Sequence, residues 1–237
     1  MQFYKTKTEK DLGELTASLL LGEMMSSNRV NIAITGGTSP VEVYKALIPK
    51  VKGTNYLENT HFYNFDEIPY RKEDREGITI SEIKKIFLEP AGVKQENIHK
   101  LDQYNYKNQD KRVFDDGGMD VMFIGVGNDG HYCGNLPGTT KFGDWTCRVE
   151  NTQKLKEREL DEFPSKNIND VPDYYITMGP RSVMAAKKII MIATGTRKKE
   201  IVKTLINGTV DTNIPATLLT LHPEFVLIAD DDACSLL

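Results

Sequence analysis

The sequence predicts an α/β fold: a mostly parallel sheet with helices on both faces. Three observations predict it. Short apolar runs recur along the 237 residues, each long enough for a strand. Segments with helical spacing separate those runs, which is the signature of strand–helix–strand units. The runs are mostly apolar, as expected of strands covered on both faces.

The elements follow in chain order. Leu12, Leu15 and Leu19 repeat at helical spacing, so residues 11–25 read as an amphipathic helix capped by Asp11. Residues 30–35 (VNIAIT) form the first buried strand. Ser39-Pro40 then opens a helix, with Ser as N-cap and Pro in the first helical position, and Val41, Tyr44, Leu47 and Ile48 supply its apolar face. Residues 61–65 (HFYNF) are a second strand, and residues 80–88 a helix ended by Pro90. Residues 119–126 (MDVMFIGV) are the clearest strand. A fourth spans 174–178, with a helix over 182–187. A fifth spans 188–193 (KIIMIA), with a helix over 197–206. Residues 225–229 (FVLIA) are the last strand. No internal repeat or linker divides the chain, so residues 1–237 are expected as one domain. The polar stretch 151–173 reads as a surface excursion, within a lid expected over 138–172.

Composition narrows the function. A formal net charge of −4 gives no hint of the basic face a general nucleic-acid binder needs. The longest apolar run near the N-terminus, Leu19 to Leu21, is too short to cross a membrane, and the first residues lack the apolar core of a secretory signal. Cys133, Cys147 and Cys234 have no CxxC spacing and read as free thiols. The expectation is a cytoplasmic protein without membrane or nucleic-acid partners.

In a parallel sheet, ligands bind beyond the carboxyl ends of the strands, so the loops after Ile34, Phe65, Val126 and Ala193 matter, and the first three carry readable chemistry. Thr35-Gly36-Gly37-Thr38-Ser39 joins a strand to a helix start. Its glycines permit close backbone approach, and free N–H groups with hydroxyls suit a phosphate. It lacks the Lys of a Walker loop and the third Gly of GxGxxG, so no nucleotide is indicated. The alternative is an ordinary tight turn. Asp66-Glu67 ends the second strand, where a carboxylate is well placed for proton transfer. The alternative is a carboxylate that caps a helix or braces a loop. In Gly125-Val-Gly-Asn-Asp-Gly-His131, Asp129 and His131 lie two residues apart after the strongest strand. A carboxylate beside an imidazole fixes its tautomer and makes an acid/base device near neutral pH. His131 and Cys133 have no second ligand pair nearby, so no metal is expected. A Cys133 nucleophile is less favoured than a buried thiol.

Five segments in order, ITGGTSPVEVYKAL (34–47), YNFDEIP (63–69), GVGNDGHYCGNLP (125–137), ATGTRKKEIV (193–202) and IPATLLTLHP (214–223), resemble the glucosamine-6-phosphate deaminase/isomerase and 6-phosphogluconolactonase superfamily. The likeness is nearest to bacterial glucosamine- or galactosamine-6-phosphate isomerases. It implies a Rossmann-like sheet, a hexose 6-phosphate ligand, no cofactor and a chain able to form homo-oligomers. Asp66 matches the base that takes the C2 proton, His131 the ring-opening group and Asp129 its support. Gly36, Gly37 and Thr38, with Thr35 and Ser39 beside them, match the phosphate loop; Glu67 joins the binding group and Lys198 matches a phosphate-contacting lysine. Two positions depart from the deaminases. Leu136 stands where they carry a catalytic Glu, and direct counting puts Glu162 where they carry a phosphate-binding Arg, with Arg158 or Lys166 as stand-ins. Amino-sugar phosphate isomerisation, with or without ammonia release, is the leading expectation. Lactone hydrolysis and a non-catalytic sugar-phosphate sensor are the alternatives.

Overall fold

The computed structural model describes residues 1–237 apart from Lys72, Asp161, Glu162 and Pro164, so the Glu162 position lies outside the described residues. In chain order the strands are β1 (Gln2–Thr6), β2 (Val30–Ile34), β3 (Thr60–Asn64), β4 (Asp66–Glu67), β5 (Ile98–His99), β6 (Val121–Gly125), β7 (Cys147–Glu150), β8 (Tyr174–Thr177), β9 (Lys188–Ala193) and β10 (Phe225–Asp230). The helices are α1 (Glu9–Met24), α2 (Val41–Val51), α3 (Ile78–Ile83), α4 (Glu89–Ala91), α5 (Gln109–Asp115), α6 (Gln153–Glu159), α7 (Pro180–Met184) and α8 (Lys199–Asn207).

Seven strands form a parallel sheet in the order β1-β10-β9-β6-β2-β3-β5. The period-two alternation of a strand divides its residues between two cores. Val121, Phe123, Ile190, Ile192, Val226 and Ile228 join α1 and α2 on one face. Met122, Ile124, Ile189, Met191, Leu227 and Ala229 join α7 and α8 on the other. Both faces are covered, which is why these strands are apolar at successive positions, with Lys188 and Asp230 only at the ends. The helices of the first layer approach closely: a Cβ on Gly13 of α1 would lie 2.7 Å from the Glu42 backbone of α2.

Several expectations are corrected. Residues 174–177 do not join the main sheet. β8 is the centre of a three-stranded antiparallel sheet, β4-β8-β7, and its apolar run resembles a parallel strand only because it is also buried. β1 escaped the apolar criterion because it is an edge strand with mostly exposed residues. α1 is capped by Thr8, whose hydroxyl oxygen accepts the Asp11 N–H at 3.1 Å. Asp11 itself sits three residues into the motif. α2 begins at Val41, with Pro40 rather than Ser39 at the cap position and no side-chain cap. The third helical stretch does not stop at Pro90: α3 passes through a π-helical turn (Lys84–Leu88) into α4 and ends at Gly92, whose φ of +77° is the left-handed stop favouring glycine. The polar stretch contains structure: Thr152 caps α6 within it. Among the described residues, no helix is long and apolar enough to cross a membrane.

Candidate active site

The loops after β2, β3, β6 and β9 emerge on one edge of the sheet and, with α6, enclose a cavity of about 540 Å³. That is an ordinary size for a small-molecule site. Thr35, Gly36, Gly37, Thr38, Ser39, Asp66, Glu67, His131 and Lys198 all contribute to its wall.

The loop after β2 is anchored by Tyr44, whose hydroxyl donates to the Thr35 carbonyl at 2.6 Å. Its Gly37 has a φ of +80° and donates its N–H to the Glu82 carboxylate at 2.9 Å. A Cβ on Gly36 would lie 2.8 Å from that same carboxylate oxygen, so a side chain there would have to displace Glu82. Sequence reasoning missed Glu82, which reaches the loop from α3 across 45 positions and leaves no local signal.

β4 places Asp66 and Glu67 differently, as adjacent strand residues must be. Asp66 is half-buried on the cavity wall, opposite Thr177 of β8. Glu67 is fully buried. One of its carboxylate oxygens accepts the N–H groups of Ile68 (2.9 Å) and Thr79 (2.8 Å), and the other accepts that of Ile80 (3.0 Å). It therefore caps α3, whose own N-cap residue is Gly77 and has no side chain to do so. A Cβ on Gly77 would fall 2.3 Å from the Glu67 carboxyl. Burial pushes the Glu67 carboxyl up to about 8, against the opposing pull of these N–H donors. Expected among the ligand-binding residues, Glu67 has both oxygens engaged by backbone and fits the helix-capping alternative.

The loop after β6 brings the acid/base pair together. Gly127 donates its N–H to the His131 carbonyl at 2.8 Å, and Gly130, at φ +79°, donates to Gly127 at 3.0 Å. The imidazole lies directly over Gly127, where a Cβ would sit 1.8 Å from Nδ1. His131 Nδ1 is 2.5 Å from the Asp129 carboxylate. Asp129 stands behind the imidazole rather than on the cavity wall, and its second oxygen accepts from Arg158 Nη1 at 2.8 Å. The hydrogen bond to His131, then the guanidinium, hold the Asp129 carboxyl far below the usual carboxylate range, so it stays ionised.

Arg158 comes from α6. Its Nη2 also lies 2.9 Å from Nδ1 and 3.4 Å from Nε2 of His131. Among the described residues, Arg158 lines the cavity and Lys166 does not. Lys198 ends the turn after β9, where Gly195 donates its N–H to Asp230 at 3.0 Å. Burial and the neighbouring Arg197 lower the Lys198 ammonium from its ordinary value. Leu136 occupies the wall of the cavity and offers it no exchangeable proton. Cys133 has a φ of +49°, and burial, with Asp66 nearby, raises its thiol well above the ordinary range. A thiol so placed is not a thiolate nucleophile. Among the described residues, no three His, Cys, Asp or Glu side chains are grouped to hold a metal ion.

A family model described as glucosamine-6-phosphate isomerases/6-phosphogluconolactonase matches residues 5–227. The glucosamine-6-phosphate deaminase of Streptococcus pneumoniae is 31% identical, with 100% of this chain and 99% of that protein covered. That of Lysinibacillus sphaericus is 29% identical, with 96% and 98% covered. A monomeric glucosamine-6-phosphate deaminase has the same fold, with a TM-score of 0.84 at 22% identity over 100% of both chains. The 6-phosphogluconolactonase of Trypanosoma brucei superposes with a TM-score of 0.74 at 16% identity, covering 99% of this chain and 97% of its own. The chain belongs to this glucosamine-6-phosphate isomerase/6-phosphogluconolactonase family.

Proposed function

Proceeding from that membership, we propose that the protein is an aldose–ketose isomerase and deaminase of an amino-sugar 6-phosphate, glucosamine or galactosamine 6-phosphate. The observation that carries the reading is the convergence of Asp66, Arg158, Lys198 and His131, with Asp129 behind its imidazole, on one cavity. Full-length relatives named glucosamine-6-phosphate deaminase support it.

Lys198, Arg158 and the hydroxyls of Thr38 and Ser39 hold the phosphate. That remote binding fixes the reacting carbons against the proton-transfer groups. Asp129 takes the hydrogen bond of His131 Nδ1, which leaves Nε2 to accept and return the proton during ring opening. Arg158 lies along the same imidazole, so the group beside the dyad is a cation where the deaminase pattern has Glu and this chain has Leu136. Asp66 removes the C2 proton of the open-chain sugar and delivers it to C1. The C2 imine so formed takes up water and releases ammonia, leaving the ketose phosphate. The segment around α6 acts as the lid, since it brings Leu155, Arg158 and Glu159 to the cavity.

A second reading, lactone hydrolysis with His131 activating water, is favoured by one observation: Leu136 leaves no carboxylate at that wall. A coupled assay for ammonia and ketose phosphate separates the readings. Turnover of glucosamine or galactosamine 6-phosphate is the expected result and names the epimer. Silence with both, together with hydrolysis of 6-phosphogluconolactone, would replace the proposal with the second reading.

A further inference from the structure

Glu82 is a carboxylate in the cavity wall for which the mechanism above has no use. It is seated on the loop that ought to receive an anion, because Gly37 gives it the N–H at 2.9 Å. Among the described residues, no ion pair engages it. The cations of the cavity lie elsewhere. Lys198 follows β9, which is two strands away from β2 in the order β9-β6-β2. At the usual strand spacing that is about 10 Å. Ser39 lies on the β6 side of the loop, since its Oγ would be 3.6 Å from a Cβ on Gly125. Glu82 lies on the other side, on the helix that follows β4 and Asp66.

The cavity is therefore polarised, with Lys198 and Arg158 toward one end and Glu82, on the helix packed against β4, toward the other. An amino-sugar 6-phosphate carries the same polarity, a dianion on C6 and an ammonium on C2. We propose that Glu82 is the specificity-determining residue that receives the substrate's ammonium group and so selects aminated over non-aminated hexose phosphates. The inference rests on the sugar-phosphate reading and adds the class of sugar to it. A carboxylate held on a backbone N–H keeps one oxygen fixed and presents the other as acceptor to an ammonium, a charge-assisted bond. The same carboxylate repels a phosphate from the Gly36–Gly37 half of the loop, which orients the ligand.

The test is calorimetric binding of two non-reacting ligands, 2-amino-2-deoxyglucitol 6-phosphate and glucitol 6-phosphate, to the wild type and to Glu82→Gln. Gln is isosteric and retains an oxygen for the Gly37 N–H. The wild type is expected to prefer the amino ligand by about tenfold or more. Glu82→Gln is expected to abolish that preference by weakening the amino ligand, while glucitol 6-phosphate changes by less than about threefold. A preference that survives the substitution overturns the proposal. So does equal tightening of both ligands, which would make Glu82 a competitor of the phosphate. Wild-type binding of neither ligand would overturn the sugar-phosphate reading itself, and is distinct from either result.

Discussion

Two histidine settings in this molecule use the same side chain to opposite ends. His131, in the cavity, has an ionised carboxylate on Nδ1 and a guanidinium beside it. The pair His61 and His99, on β3 and β5 at the sheet edge, have each other: His61 Nδ1 lies 2.8 Å from His99 Nε2. Arg29 approaches the same nitrogen at 3.3 Å, and Tyr63 stacks on the His99 ring with centroids 4.7 Å apart. Burial, then Arg29, lowers both imidazoles, His99 to about 4. The difference lies in the surroundings: burial and Arg29 disfavour the charged form of His61 and His99, whereas His131 has an ionised carboxylate on one nitrogen, the arrangement the proposed proton transfer needs.

The comparison can be broken first at the dyad. Gly127→Ala puts a Cβ where the His131 ring lies and must displace it. Turnover should fall about 10²–10⁴-fold, the typical worth of one positioned acid/base group, in the ammonia assay. The melting temperature should change little, because Gly127 is in a loop over the cavity. Retained turnover would mean that the imidazole's position is unimportant.

A smaller effect, and on stability rather than chemistry, is expected at the carboxylate beside Asp66. Glu67→Ala leaves two backbone N–H groups of the α3 entrance, those of Thr79 and Ile80, and the N–H of Ile68 without their acceptor. The cost should be about 2–3 kcal/mol, measured by denaturant unfolding. Destabilisation comparable to an exposed substitution would show that the buried carboxylate is not a cap.

The smallest effect sharpens the structural histidines. The His99 folded-state value lies below the ordinary value of 6.5, so the unfolded chain binds more protons between the two. Stability from this group is present above 6.5 and is lost as pH falls toward 4. The loss should be about 1 kcal/mol after solvent screening, since the site is partly exposed. Glu67 runs the other way between 4.5 and about 8, because its folded value is raised. The wild type minus His99→Phe difference, from melts at several pH values, isolates the histidine; a difference independent of pH would contradict the assignment.

What the sequence revealed, and what it did not, follows from range. β6, β9 and β10 were legible because both faces are buried and every residue is apolar except Lys188 and Asp230 at the strand ends. Asp129 and His131 were legible because they are two residues apart on one glycine-rich loop. Arg158 meets Asp129 across 29 positions and Glu82 meets Gly37 across 45, and neither carries a local pattern. Glu67 looked like a twin of Asp66. Strand alternation would have separated them, had a two-residue strand been visible in the sequence. The antiparallel β8 shows the limit of apolar runs, which report burial and not the sheet to which a strand belongs.

The central claim is that Asp66 moves the proton from C2. Glucosamine and galactosamine 6-phosphate carrying deuterium at C2 test it most directly, with the fate of the label followed by NMR in the wild type and in Asp66→Asn. The account predicts that the wild type removes the deuterium from C2 of at least one epimer as ketose phosphate forms, and that Asp66→Asn leaves it in place while still binding glucitol 6-phosphate. Deuterium retained at C2 of both sugars by the wild type, or lost equally fast in Asp66→Asn, would contradict it.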